Sequence, residues 1–475
     1  MDFIFQDFGT AFDPTCKRPG YILSETLSPD LVPETLQIIW RSTNYHDARS
    51  FIRRNLNNSL PHKVKLSKDE LDGWADIYLS YWKTAGEILA VQGQGGAPGG
   101  KPSWAKVYET WKELASHLIR GYQSYGFEAW TIPCLYIVGK YLRVFSIKAD
   151  AERDGNSAEN GDAVFQDDFD PEMEQHKHLE DCARQLNRIF NLCLNDRASL
   201  DESRKWGIYY IINLLFKTYF KLNQASLSRN VLKALGAYRG DMPPLESFPK
   251  SQRVTFKYYQ GVLLFLEENY VEAEKHLTEA WGLCHKDAKR NKECVYIDHN
   301  HSRNEVANRY RLILTYLIPC HLLTTHTLPT RALLEPYPRL QKLFLNLSQA
   351  IKKGELHAFD LALQEGEDEF VKRRIYLTLE RGRDIALRNL LRKVFIAGGF
   401  EEPKEPGAAP LRRTRIPLAE FVAAISLGSQ QQLDTDEVEC LLANMIYKGL
   451  MKGYIAREKA FVVLSKTGAF PGTGV

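Results

Sequence analysis

Residues 434–466 read DTDEVECLLANMIYKGLMKGYIAREKAFVVLSK, and the period of the apolar residues changes halfway along. In the first half Val438, Leu441, Leu442, Met445 and Ile446 recur at i, i+3, i+4, i+7 and i+8, so they share one face of a short amphipathic helix. Asp434 with Glu437 three residues on forms an N-terminal capping pair, and Gly449 suits the residue just past the helix end. In the second half Leu450–Ile455 and Ala460–Leu464 read as two short strands, with Arg457-Glu458-Lys459 at the turn between them. Upstream, Pro417–Leu427 is another short apolar helix, and Arg415-Ile416-Pro417 adds a short strand before it. Helix, helix and β-ribbon within about 55 residues outline a winged helix. Its wing carries Lys452, Arg457, Lys459 and Lys466.

The chain around this module has 475 residues, room for two or three domains and a large core. Its formal net charge is only +3, so attraction for a polyanion has to come from local asymmetry. The longest apolar run, Leu312–Leu323, contains Tyr316, Pro319 and His321 and falls short of the roughly 18 residues that span a membrane. The opening MDFIFQDFGTAFDP has early acids and no basic leader, unlike a secretory signal. Eight cysteines scattered without framework spacing suit reduced thiols in cytosol or nucleus.

Taken in order, residues 1–30 scatter Phe3, Phe5, Phe8 and Phe12 among Gly and Pro and read as an irregular arm. From Pro33 the periodicity is helical, with helices over about 34–57, 67–91, 102–125 and 131–149. Trp74, Tyr78, Tyr81 and Trp82 mark one apolar stripe. These make an N-terminal helical region, 1–148. Residues 149–171, rich in acids, Gly, Asn and Ser, read as a disordered surface loop. Helices resume over about 172–196, 203–222, 225–238, 249–267, 270–286, 303–325, 338–352, 355–364, 367–378 and 380–397, joined by short connections as antiparallel hairpins require. In GVLLFLEENYVEAEKHLTEA, Gly261, Ala273, Leu277 and Ala280 occupy the small and apolar positions of a tetratricopeptide unit. No strict 34-residue repeat accompanies it, so 172–397 reads as a degenerate α-solenoid. Pro319 interrupts a helical run and is expected to kink it. A Pro/Gly-rich hinge, 398–410, leads to the winged helix at 411–468. The fold class is mainly α: a TPR-like helical-repeat solenoid followed by a C-terminal winged helix.

Candidate catalytic and metal sites fail one by one. Gly95–Lys101 matches G-x-x-x-x-G-K, but Pro102 replaces the Mg²⁺-binding hydroxyl and a helix, not a strand, precedes it; it reads as a linker. Cys284, His285, Cys294, His299 and His301 invite a zinc site, but their spacing fits no finger, and the bland reading is a polar loop between helices. His176 and His178 lie in an acidic helix start without a third ligand. No nucleophile elbow, H-E-x-x-H or dinucleotide fingerprint occurs. No catalytic residue, cofactor or metal site is assigned.

Charge is the remaining signal. Val371–Val475 carries 17 Lys and Arg against 11 Asp and Glu, a net +6 that leaves −3 for the rest. Lys372-Arg373-Arg374 and Arg381/Arg383 read as solvated helix faces. Arg412-Arg413/Arg415 and the wing set read either as a nucleic-acid contact or as a dock for an acidic protein. Tyr447, Tyr454 and Phe461 stand near these charges, where rings could stack on bases, but they alternate with core positions and read as packed.

Five segments resemble one branch of the PCI-domain family: ASLSRNVLKAL (225–235), FKYYQGVLLFLEENYVEAEKHLTEAW (256–281), NRYRLILTYLIPCHLL (308–323), LHAFDLALQEGEDEFVKRRIYLTLERGRDIALRNLLRKV (356–394) and LMKGYIAREKAFVVLSKTGAFP (450–471). That branch holds the signalosome-associated twelfth subunit and the PCI subunit of the nuclear TREX-two complex for transcription-coupled mRNA export. The resemblance spans roughly Lys205 to Pro471. It implies a non-enzymatic scaffold, in the nucleus with the cytoplasm as a second location. The implied partners are a larger PCI protein at the winged helix, a small acidic Sem/Dss-type subunit on the repeats, and RNA or DNA bound weakly and completed by the partner. It implies no membrane. The positions that match the family's nucleic-acid-binding surface are Arg415, Lys448, Lys452, Arg457, Lys459 and Lys466. The alternative the branch implies is a signalosome-associated subunit with protein contacts only.

Overall fold

The computed structural model describes residues 1–95, 101–159, 176–238, 242–285, 302–401 and 411–474. They form two compact units, Met1–Tyr259 and Gln260–Val475.

The first unit runs through α1 (Asp2–Ala11), α2 (Pro19–Glu25), α3 (Pro33–Trp40), α4 (Ala48–Ser59), α5 (Lys68–Val91), α6 (Trp104–Ser124), α7 (Ile132–Glu159), α8 (Lys177–Leu194), α9 (Ile208–Lys221) and α10 (Leu227–Ala237), and α11 (Lys250–Leu266) carries the division. Helix α5 begins where the Ser67 side chain accepts the Glu70 N–H, a cap that supplies one of the partners a helix start lacks. Its stripe of Trp74, Tyr78, Tyr81 and Trp82 is buried. Trp74 stacks on Phe127 at 4.2 Å between centroids, and Trp82 on Trp40 at the same distance.

Three expectations are corrected here. Residues 1–30 contain two helices rather than an irregular arm. Phe8 drives the burial of the first, its ring 5.9 Å from Trp74 and 5.8 Å from Tyr78. The helix expected over 34–57 is two, because Ser42, Thr43 and Asn44 favour a turn over helix interior. The acidic segment expected to be a loop from residue 149 starts as helix: α7 continues to Glu159, with Ala149 and Asp150 buried. Asp150 then holds the next element. Its Oδ1 accepts the His178 N–H (3.0 Å) and lies 2.9 Å from His178 Nδ1, and its Oδ2 accepts the Leu179 N–H (3.0 Å). His178 is thus a partner in a helix cap. Residues 160–171 lie outside the described residues.

The second unit continues with α12 (Tyr270–His285), α13 (Ser302–Thr324), α14 (Arg331–Leu334), α15 (Pro338–Lys353), α16 (Leu356–Glu365), α17 (Glu367–Lys372), α18 (Tyr376–Glu380) and α19 (Gly382–Ala397). A Cβ on Gly261 would sit 2.7 Å from Leu277 Cγ and 3.3 Å from the Ala273 carbonyl oxygen. Ala273, Leu277 and Ala280 are fully buried, so small residues here set how closely the two helices approach. Pro319 lies inside α13, which runs on past it to Thr324.

After the two-residue pair β1 (Phe400–Glu401) and β2 (Leu411–Arg412) comes the module quoted at the outset: β3 (Arg415–Pro417), α20 (Leu418–Ser429), α21 (Thr435–Tyr447), β4 (Gly453–Ala456) and β5 (Phe461–Leu464). Its sheet is antiparallel in the order β3-β5-β4. The reciprocal capping box of Asp434 and Glu437 starts α21. Gly449, at φ 69°, ends it in the left-handed conformation that glycine adopts at least cost. Ile416, Phe421, Ile425, Val438, Leu442, Met445, Val462 and Phe470 form the core. The module is seated on α19: Phe395 and Phe470 rings lie 5.9 Å apart, and Lys448 Nζ is 2.7 Å from Asp384 Oδ2.

Candidate nucleic-acid and partner interface

The register of the three strands sorts the wing into two faces. Ile416 opposes Val462, which opposes Ile455; this row faces the core. The alternate rows face outward, because successive side chains on a strand point to opposite sides. Arg415 opposes Val463, which opposes Tyr454, and Pro417 opposes Phe461, which opposes Ala456. Lys452 is two residues before Tyr454 and so joins this face. Its backbone closes the ribbon, the Lys452 N–H donating to the Ala469 carbonyl and the Lys452 carbonyl accepting the Ser465 N–H.

The three aromatics expected to be packed are not. Tyr447 is 90% exposed, Tyr454 62% and Phe461 37%. Alternation along the strand is the reason: Tyr454 and Phe461 fall on the outward rows, away from the core, and Tyr447 ends α21 beyond its apolar stripe.

The six matched cations divide. Arg457 reaches back to the start of α21, 3.3 Å from Asp436 Oδ1 and 3.5 Å from Glu439 Oε2. Lys448 is held by Asp384. Arg415, Lys452, Lys459 and Lys466 are exposed and, among the described residues, make no ion pair. Of their neighbours, Arg413 pairs with Glu420 at 3.3 Å, and the Arg412 guanidinium lies over the Phe400 ring at 4.7 Å. Further upstream three of the clustered arginines are paired: Arg373 with Glu369, Arg381 with Glu268 and Arg383 with Asp360. Four exposed cations without an ion pair thus stand together on the wing and its flanking strand.

Both outer strands of the sheet, β3 and β4, pair only with β5 among the described residues, leaving open edges of the kind that accept another strand. Gly453 is fixed by space: a Cβ there would lie 2.4 Å from the Val463 carbonyl oxygen.

One polar cluster in the first unit is internally satisfied. A hollow of about 520 Å³ in the first unit is lined by Trp130, Trp206, Asp196 and Arg204. Arg204 Nη2 donates to Asp196 Oδ1 at 2.6 Å, the Arg204 N–H and Ser203 Oγ donate to Oδ2, and Nη1 donates to the Tyr122 carbonyl. Burial pushes the Asp196 carboxyl up, but these bonds from Arg204 and Ser203 outweigh it and hold it below its usual range. The Cys182 and Cys193 thiols are pushed up by burial to about 12, far from reactive thiolates. No group of three potential metal ligands occurs among the described residues. Most of the zinc candidate, Cys294, His299 and His301, lies outside them, as does most of the Gly95–Lys101 segment.

A helical-repeat body closed by a winged helix with open sheet edges defines a scaffold-type assembly protein. The PCI domain family matches residues 364–466. A Neurospora crassa protein described as "Protein CSN12 homolog" is 68% identical over all of both chains. A Schizosaccharomyces pombe protein of the same description is 39% identical over 77% of this chain and 78% of its own. "PCI domain-containing protein 2" of Danio rerio is 30% identical over 78% of this chain and 79% of its own. The chain belongs to the PCI-domain family, in the branch of the CSN12 homologs and PCI domain-containing protein 2. The Neurospora match takes in the first 150 residues too, where the sequence segments alone carried little resemblance.

Proposed function

We propose that this chain is a non-enzymatic scaffold subunit of a nuclear complex that couples transcription to mRNA export, of the TREX-two type. It pairs through its winged helix with a larger PCI protein, takes a small acidic subunit on its helical repeats, and contributes cations to a shared nucleic-acid surface. A cytoplasmic pool accompanies the nuclear one. The observation that carries the reading is the pairing of an open β4 edge with four exposed, unpaired cations around it. Strand addition supplies the partner contact. Lys and Arg side chains free of internal acids supply phosphate contacts that release counterions.

Four phosphate contacts on a single strand predict an affinity loss of roughly fifty-fold between 50 and 200 mM salt. Fluorescence anisotropy of full-length protein with a labelled RNA measures it. Lys452→Glu with Lys459→Glu should flatten the salt slope by about 1.4 and leave the melting temperature unchanged. A salt-independent signal, or a double variant that binds like the parent, defeats the reading.

A second reading, a signalosome-associated subunit with protein contacts only, draws support from the CSN12 description of the relatives and from the internal pairing of Lys448 and Arg457. Cross-linking of the purified assembly to RNA separates the two: no cross-link on this chain favours the second.

A further inference from the structure

We propose that the outer face of the wing sheet takes single-stranded nucleic acid, with bases stacked on Tyr454 and Phe461. This rests on the nucleic-acid reading above and names the ligand's form. Three observations carry it. First, the two rings stand on adjacent strands in diagonal register: Tyr454 opposes Val463, and Phe461 lies two residues back from Val463 on the same face. Diagonal neighbours in an antiparallel pair are roughly 7–8 Å apart, within reach of consecutive bases in an extended strand. Second, the residues beside the rings leave them uncovered. Phe461 is flanked by Ala456 and Pro417, both short, and Tyr454 sits on an edge strand with no further strand beyond it among the described residues. Third, cations stand at two sides of the same face. Arg415 lies across Val463 from Tyr454, about 10 Å away at two strand spacings, and Lys452 precedes Tyr454 by two residues. The Tyr454 and Phe461 rings then receive base faces while Arg415 and Lys452 meet the flanking phosphates.

A duplex offers no such fit. Its bases are stacked inside, so it can meet this face only through phosphates, and the exposed rings gain nothing from it. An aromatic pair on a sheet with cations at its margins is how base-tolerant single-strand binding is achieved, each stacked base being worth roughly ten- to hundredfold in affinity. The rings are also unsuited to a merely structural role, since neither contributes to the core on the opposite face.

The test uses full-length protein and anisotropy with one mixed-sequence RNA, either single-stranded or annealed to its complement, at the same salt. The single strand should bind at least tenfold tighter. Tyr454→Ser with Phe461→Ser should lose roughly a hundredfold or more for the single strand and leave duplex binding as it was. Tyr454→Phe should bind like the parent, because the ring and not the hydroxyl is used. A DNA strand of the same sequence, binding more weakly or equally, shows whether the 2′-hydroxyl is read. Duplex binding as tight as the single strand overturns the proposal, as does a serine double variant that binds like the parent. So does a double variant that loses its PCI partner while keeping RNA affinity, since the face is then a protein interface. In those cases a steep salt slope would leave the broader nucleic-acid reading standing; absence of binding by either RNA form would sink both.

Discussion

The helical body and the winged helix treat the same residue types in opposite ways. In the body, Trp74, Tyr78, Trp82 and Trp111 are buried, with Trp82 Nε1 donating to the Trp40 carbonyl and Trp111 Nε1 to that of Val138. In the winged helix, Tyr447, Tyr454 and Phe461 face solvent. In the body, Arg49, Arg53, Lys112, Arg204 and Arg383 each lie against a carboxylate. On the wing, Arg415, Lys452, Lys459 and Lys466 do not. The body residues are engaged within the chain. A region that leaves rings and cations unsatisfied at one face is shaped for something outside the chain.

That contrast can be broken from either side. The largest effect should come from the body. Asp196→Ala leaves the Arg204 guanidinium partly buried without its carboxylate, which costs about 3 kcal/mol or more, read as a drop in chemical-denaturation midpoint. The pH dependence has a fixed sign. Because the folded carboxyl titrates below its unfolded value of 3.8, its stabilisation is complete above that value. It is lost as pH falls through the folded one. The parent's stability should therefore decline in acid more steeply than the variant's. Next comes the helix pair. Gly261→Val inserts atoms where even a Cβ is crowded by Leu277 and should cost about 1–3 kcal/mol, measured as a lowered melting temperature.

The smallest effect should be at the wing. Arg457→Ala removes a pair in which Arg457 is 73% and Asp436 78% exposed, worth less than about 1 kcal/mol and screened by salt. RNA affinity should fall less than for Lys452→Ala, since Arg457 is already engaged. If Arg457→Ala proves the more damaging of the two, the division between engaged and free cations is wrong.

Much of this was legible in the sequence. The winged helix followed from a switch of period and from the Asp434–Glu437 pair, both local signals, and the helical repeats from spacing alone. What stayed hidden depended on register and distance. Tyr454 and Phe461 look like core residues until strand pairing assigns the row opposite Ile416 and Val462 to the inside. The ordering of residues 1–30 needed Trp74 and Tyr78, some 70 positions away, to bury Phe8. Nor could spacing show that Lys448 meets Asp384, 64 residues upstream, or that Arg457 folds back on α21. The six cations therefore read as one set in sequence and as two in three dimensions.

Asp150 has a consequence for the chain's continuity. Its carboxylate grips the first turn of α8 through two backbone amides and a side chain, and α7 and α8 pack along their lengths. The peptide connection through residues 160–175 is then not what keeps these helices together. The protein is accordingly divisible at this place: two polypeptides broken between residues 160 and 175 should hold together as one particle, which makes the position a natural port for inserting a reporter domain or an affinity tag.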